Sequence, residues 1–220
     1  MEPTPLVLIA HGLGASKDYH RWMINILTQQ HYVVLAYTLH GNTIQQLFNI
    51  FKGAISSGKA SFDAFADAIP DSIRELSRFY KFAHVIDFER IGVIGHSSGA
   101  AGLLLVSSQS YPAIRCGIAL APPAYPQTAL PSKVNLPIQV QIGTLDRLCP
   151  VNTVKNYYEQ LEAPVKELIV IKGGNHVQYM DHEMAEVPIR LGIDNPPTID
   201  TDLQHQQSKA GFIRWLNQHL

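Results

Sequence analysis

The sequence is poor in cysteine. Cys116 and Cys149 are the only two in 220 residues, too few for a disulfide framework or a four-ligand zinc site. Cys116 stands in an apolar run and reads as a core residue. Charge is also sparse and balanced: 16% of residues are charged and the net charge is −1. That leaves no basic surplus for binding nucleic acid or an anionic membrane. No apolar run approaches the roughly 18 residues needed to span a bilayer. Met1-Glu2-Pro3-Thr4-Pro5 leads straight into Leu6–Ala10. This start lacks the basic residues, longer apolar stretch and small-residue cleavage site of a secretory leader, so a cytoplasmic protein is the expectation. Internal repeats, charge blocks and low-complexity stretches are missing too.

What is present suits a packed core. Hydrophobic residues make up 46%, and the length fits one domain, since single α/β domains run to roughly 200–250 residues. We read residues 1–220 as that domain. Short apolar runs, rich in Val and Ile, recur at Leu6–Ala10, Tyr32–Tyr37, Arg90–Ile94, Cys116–Ala121, Ile138–Ile142 and Glu167–Ile171. Continuous rather than alternating hydrophobicity suits strands covered on both faces. Helical patterns lie between them, at about 17–30, 62–84, 99–109, 152–162 and 202–219. The rhythm predicts an α/β fold with an open, mostly parallel sheet. Pro70 predicts a kink or break in the second helix. Thr201-Asp202-Leu203-Gln204 has capping-box spacing and predicts the start of the last helix.

The strongest local signal is Gly95-His96-Ser97-Ser98-Gly99. A strand precedes it and a small-residue helix follows, the setting in which G-x-S-x-G means a nucleophile elbow. The glycines remove side chains that would collide in the tight turn. A serine hydroxyl is a weak nucleophile near neutral pH and needs a base, which in turn needs an orienting acid. In this setting the acid and then the histidine follow the serine in the chain. After Ser97 the first acidic residue is Asp146 and the first histidine is His176. Each follows a strand end, where an open α/β sheet borders its binding crevice. Ser97, Asp146 and His176 are therefore the candidate catalytic residues. Leu6–Ala10 runs into His11-Gly12-Leu13-Gly14, and the backbone N–H groups of Leu13 and Ser98 would form an oxyanion hole.

Two nucleotide-binding patterns fail. Gly12-Leu13-Gly14 lacks the third glycine of a dinucleotide fingerprint, whose position is Lys17, and no acid ends the second strand. Gly53 to Ala60 approaches a phosphate loop, but Ala60 replaces the magnesium-binding hydroxyl and the preceding Ile44–Phe51 reads as helix.

Together, His11-Gly12-Leu13-Gly14, Gly95 to Gly99, Asp146 with Cys149-Pro150, and Gly174-Asn175-His176 resemble the α/β-hydrolase superfamily over nearly the whole chain. The sequence looks most like its small, cap-poor members around dienelactone hydrolase and the short-chain carboxylesterases. The tail, with Asp194-Asn195-Pro196-Pro197, is similar to a bacterial and archaeal subset. The family's opening antiparallel hairpin is missing, so about six strands are expected, with helices on both faces. Pro122 to Pro137 is too short for a large cap domain. Dienelactone hydrolase uses a cysteine nucleophile, whereas this chain has Ser97. The resemblance implies a serine hydrolase acting on carboxylic esters of small or medium chain length, without metal or organic cofactor. A thioesterase, an amidase, or a lyase of the hydroxynitrile-lyase type reusing the triad are the alternatives. The expected partner is a small-molecule ester.

Candidate pocket residues are Tyr19, Tyr125, Leu148 and Val177, with Leu13 and Tyr179 nearby. Ile44, Leu47, Phe48 and Phe51 share one face of a short helix, so the segment 43–61 could form a partial lid that brings Phe48 and Phe51 to the pocket.

Overall fold

The Val- and Ile-rich runs form six parallel strands: β1 (Thr4–Ala10), β2 (Val33–Ala36), β3 (Ile86–His96), β4 (Ile114–Leu120), β5 (Ile138–Gly143) and β6 (Lys166–Ile171). They appear in a computed structural model that describes residues 2–39, 62–125 and 129–220. The sheet order is β2-β1-β3-β4-β5-β6. From β1 the chain goes outward to β2, then returns to β3 on the other side of β1. The connections therefore change direction between β1 and β3. In open α/β sheets the ligand crevice lies at such a switch point, outside the carboxyl ends of the strands.

The described helices are α1 (Arg21–Gln29), after a tight 3₁₀ turn at Lys17–His20, α2 (Asp63–Phe79), α3 (Ser98–Ser108), α4 (Val151–Gln160), α5 (His182–Arg190) and α6 (Thr201–His219). They cover both faces of the sheet. A Cβ placed on Gly117 would lie 3.0 Å from Leu103 of α3, whereas one on Gly92 would lie 2.7 Å from Leu216 of α6 and 3.7 Å from the Cys116 sulfur. Cys116 and Gly117 are neighbours on one strand and so point to opposite faces. Helix α3 is apolar all round and buried along almost its whole length, as expected of a helix inside the core. Under α6 the polar residues of β5 are bonded: Ser208 donates to Gln141 at 2.6 Å, and Gln139 to Glu167 at 2.6 Å.

Two local expectations are sharpened, and one helix goes beyond them. Pro70 lies inside α2, which remains one helical span. The cap of α6 is Asp200 rather than Thr201: its Oδ1 accepts from the Leu203 amide at 2.7 Å. Helix α5, which carries Pro188 and buries only Ala185, was not expected at all. The connection from β4 to β5 holds no helix among its described residues. None of the described helices is long and apolar enough to cross a membrane.

Candidate active site

The site grows from the register of two neighbouring inner strands, β1 and β3. Ala10 of β1 pairs with Gly95 of β3, so the segment after Ala10 runs beside the segment after Gly95. The approach is very close. A Cβ on Gly99 would lie 2.2 Å from the Ala10 carbonyl oxygen, and one on Gly95 would lie 2.4 Å from the Gly99 carbonyl oxygen. Only glycine fits at either position. Ser97 sits at the apex with φ 55° and ψ −119°. Such a conformation costs a non-glycine residue about 1–3 kcal/mol and is held by the surrounding structure. Ser98 opens α3, so its amide is one of the N–H groups left without a partner inside the helix.

The loop after β1 turns tightly. The Ala15 amide donates to the Gly12 carbonyl at 3.2 Å, and Gly14 takes a positive φ of 75°. This is the third position of a turn that calls for glycine. His11 braces the loop. Its Nε2 accepts from the Leu39 amide at 2.9 Å, which leaves Nδ1 to donate to the Gly12 carbonyl at 2.7 Å. A Cβ on Gly12 would lie 2.9 Å from the Ser97 Cβ.

The loops that carry Asp146 and His176 lean on each other in the same way. Gly143 pairs with Ile171 at the strand ends. Beyond them the Leu145 amide donates to the Gly174 carbonyl at 2.8 Å. A Cβ on Gly143 would lie 2.4 Å from that same carbonyl oxygen. This brings Nδ1 of His176 to 2.9 Å from Oδ2 of Asp146, while Oδ1 of Asp146 accepts from the Cys149 amide at 2.6 Å. Burial alone would disfavour the charged imidazolium, but the Asp146 carboxylate outweighs it and Asp194 adds to it. The His176 pKa therefore stands above its ordinary value of 6.5. Burial pushes Asp146 up from 3.8, against the hold of the His176 ring and the Cys149 amide. Two donors converging on the carboxylate fit its ionised form.

Ser97, His176 and His96 line one cavity of about 230 Å³, together with Gly12, Leu13, Tyr19, Leu148 and Val177. Its outer wall comes from Met180 and from α5, through Glu183, Met184, Val187 and Pro188. Tyr125 is not among the lining residues; its hydroxyl donates to the Leu148 carbonyl. Tyr179 is fully buried beside His96. Phe48, Phe51 and the segment 43–61 lie outside the described residues.

Several supporting residues had no site role in the expectations from sequence. Oδ2 of Asp194 accepts from the His176 amide at 2.8 Å and the Val177 amide at 3.2 Å, while Oδ1 accepts from the Arg147 amide at 2.9 Å. One buried carboxylate thus joins the Asp146 loop to the His176 loop. Gln204 of α6 clamps Asn175 from both sides, accepting from its amide and donating to its carbonyl, each at 3.0 Å. The pair Asp194-Asn195 ahead of two prolines is the local hint that could have raised the first of these.

Among the described residues, Asp146, Cys149 and His176 are the one group whose ligand atoms gather within 4.8 Å. The first and last already bond to each other, and burial pushes the Cys149 thiol well up, so that it stays protonated. The arrangement fits an acid–base pair better than a cation.

The sheet order, the strained serine after β3 and the acid and histidine after β5 and β6 define an α/β-hydrolase. Residues 4–190 match the PET hydrolase-like family, and the chain belongs to that family of ester-cleaving hydrolases. Among solved structures, an esterase of Pyrococcus furiosus has a TM-score of 0.60 and 23% identity, over 87% of this chain and 82% of that one. This likeness concerns the fold. No curated protein matches the sequence.

Proposed function

We propose that this chain is a serine hydrolase that cleaves carboxylic esters of small or medium chain length through an acyl-enzyme on Ser97. The observation that carries the reading is the buried His176–Asp146 pair opening onto the cavity that also holds the strained Ser97. Ser97 attacks the ester carbonyl while His176 takes its proton. Asp146 holds the ring in the tautomer with hydrogen on Nδ1 and stabilises the imidazolium as it forms. The tetrahedral oxyanion rests on the amides of Leu13 and Ser98. His176 then protonates the departing alcohol, and water clears the acyl group by the same steps.

The substrate reading rests on the cavity. Leu13, Tyr19, Leu148, Val177, Met180 and Met184 give it apolar walls, and its volume is about 230 Å³. Sites for larger ligands run to roughly 300–1,000 Å³, so a short or medium acyl arm fits better. Residues 1–220 act as one catalytic domain in this reading. Cytoplasmic residence is favoured by two free, buried cysteines.

A graded series of p-nitrophenyl esters tests the proposal. Short and medium chains should be hydrolysed, and Ser97→Ala should lower kcat by roughly 10³-fold or more. Trapping an acyl group on Ser97 would separate this route from a lyase that reuses the triad. Full activity in Ser97→Ala would rule the nucleophile out.

A further inference from the structure

We propose that His20 and His96 form a directional hydrogen-bond relay that positions the backbone of His176, making both of them positioning residues for the reaction. The inference rests on reading Ser97 and His176 as nucleophile and base.

The direction of the relay follows from what each atom can do. Nε2 of His96 lies 3.2 Å from the carbonyl oxygen of His176. A carbonyl only accepts, so Nε2 of His96 must carry the hydrogen. The neutral ring then has a lone pair on Nδ1. Nε2 of His20 lies 3.3 Å from that atom and must donate to it. The lone pair on His20 Nδ1 is left over, and Nδ1 is indeed a buried atom with no hydrogen-bond partner among the described residues. Reversing either tautomer would set two lone pairs, or two hydrogens, against each other.

Burial keeps this arrangement neutral. His20 is 0% exposed and His96 is 3% exposed. Burial, with the neighbouring His11 and His205, pushes the His20 pKa down to about 3. Burial likewise drives His96 well below its ordinary value, with His176 and His20 adding to the effect.

The local structure has released His20 for the purpose. It occupies the N-cap position of α1 but makes no capping bond. The α1 amides of Arg21 and Trp22 are instead satisfied by the Asp181 carboxylate, at 2.8 and 3.0 Å. The His20 ring is thereby free to turn inward to His96.

The relay acts across the shortest covalent path to the nucleophile. His96 immediately precedes Ser97, so its bond ties the backbone of the base to the chain neighbour of the serine. Asp194 holds the His176 amide and Asp146 holds its ring nitrogen. The carbonyl is the third point of attachment, and it sets the base against Ser97.

The experiment compares His20→Leu, His20→Gln and Ser97→Ala on one short p-nitrophenyl ester. His20→Leu removes the donor and should lower kcat about tenfold with KM nearly unchanged, because small misplacements of a reacting group are costly. His20→Gln can still donate and should return kcat to within about threefold of the parent. Unchanged kcat in His20→Leu, or an equal loss in His20→Gln, would overturn the relay. Long-range ¹H–¹⁵N NMR of the unaltered protein gives a reading that needs no variant to fold. Both rings should be neutral with hydrogen on Nε2 near neutral pH, and hydrogen on Nδ1 of His96 would overturn the relay. Activity surviving in Ser97→Ala would instead sink the reading of the nucleophile.

Discussion

Nδ1 of His176 stands 2.9 Å from Oδ2 of Asp146, with side-chain exposures of 5% and 0%. Water competes little for this bond, so its direction fixes which ring nitrogen faces the cavity. Asp146→Asn keeps the shape but offers an amide that can hold the wrong tautomer. We expect kcat to fall by about 10⁴-fold with KM little changed. A loss under tenfold, read from steady-state kinetics, would show that the pair does not orient the base.

On the proposed mechanism the same pair sets the pH dependence. The His176 pKa is raised above 6.5, and the base works only when neutral. kcat/KM should therefore climb as pH rises, with a midpoint above 6.5. Stability runs the other way. The bonus from the charged ring is complete below 6.5 and is lost as pH rises through the raised value. A pH–rate profile with a midpoint below 6.5 would contradict this.

Two glycines should respond differently to alanine. At Gly99 the added methyl would lie 2.2 Å from a carbonyl oxygen on a central strand. Backbone would have to move, so Gly99→Ala should cost more than about 3 kcal/mol or prevent folding. At Gly12 the added methyl meets Ser97, at 2.9 Å from its Cβ and 3.5 Å from its Oγ. Gly12→Ala should therefore lose activity by about 10²-fold and lose less stability than Gly99→Ala. Urea titration and kinetics on the two variants would separate the effects.

Acid should unfold the protein early. The His20 pKa falls from 6.5 to about 3 on folding, so the unfolded chain takes up a proton that the folded chain refuses. Its contribution is present above 6.5 and is lost as pH falls from 6.5 toward about 3. The slope is about 1.4 kcal/mol per pH unit for this one group. His96 adds to it in the same direction. His20→Phe should remove about one such slope from a plot of unfolding free energy against pH. An unchanged slope would mean that His20 is charged or exposed in solution.

Helix α5 should set chain-length preference. Met184 and Val187 line the cavity, and Val187 is 48% exposed, so a larger side chain can enter without crushing a core. Val187→Trp should shift the ratio of kcat/KM values toward the shortest esters by about tenfold or more, in line with the 10–200-fold discrimination of one methylene in an apolar pocket. An unmoved ratio would remove α5 from the specificity site.

Much of this was legible in the residues. Five of the strands came from nearly continuous apolar runs, as strands covered on both faces favour apolar side chains; β5 instead carries the buried Gln139 and Gln141, which hydrogen bonds satisfy. The elbow was legible because Gly95 and Gly99 are the residues that its close contacts tolerate. Asp146 and His176 could be chosen by order, since no other acid or histidine intervenes after Ser97 at a strand end. The cap of α6 was misread by one residue because Thr201-x-x-Gln204 mimics a capping box. Gln204 instead spends its amide on Asn175, 29 positions away in the chain.

The order of residues thus determined by itself the six strands, most of the helices, the parallel arrangement and the three candidate catalytic positions. These depend on neighbours in the chain, on periodicity and on the space left by glycine. The tertiary structure alone decided the cavity wall at α5, the bridging carboxylate of Asp194 and the inward turn of His20. Each of these joins groups far apart in sequence by a directional hydrogen bond or a shared void, and such pairings have no period along the chain. They exist only once the sheet register has brought the loops to one edge.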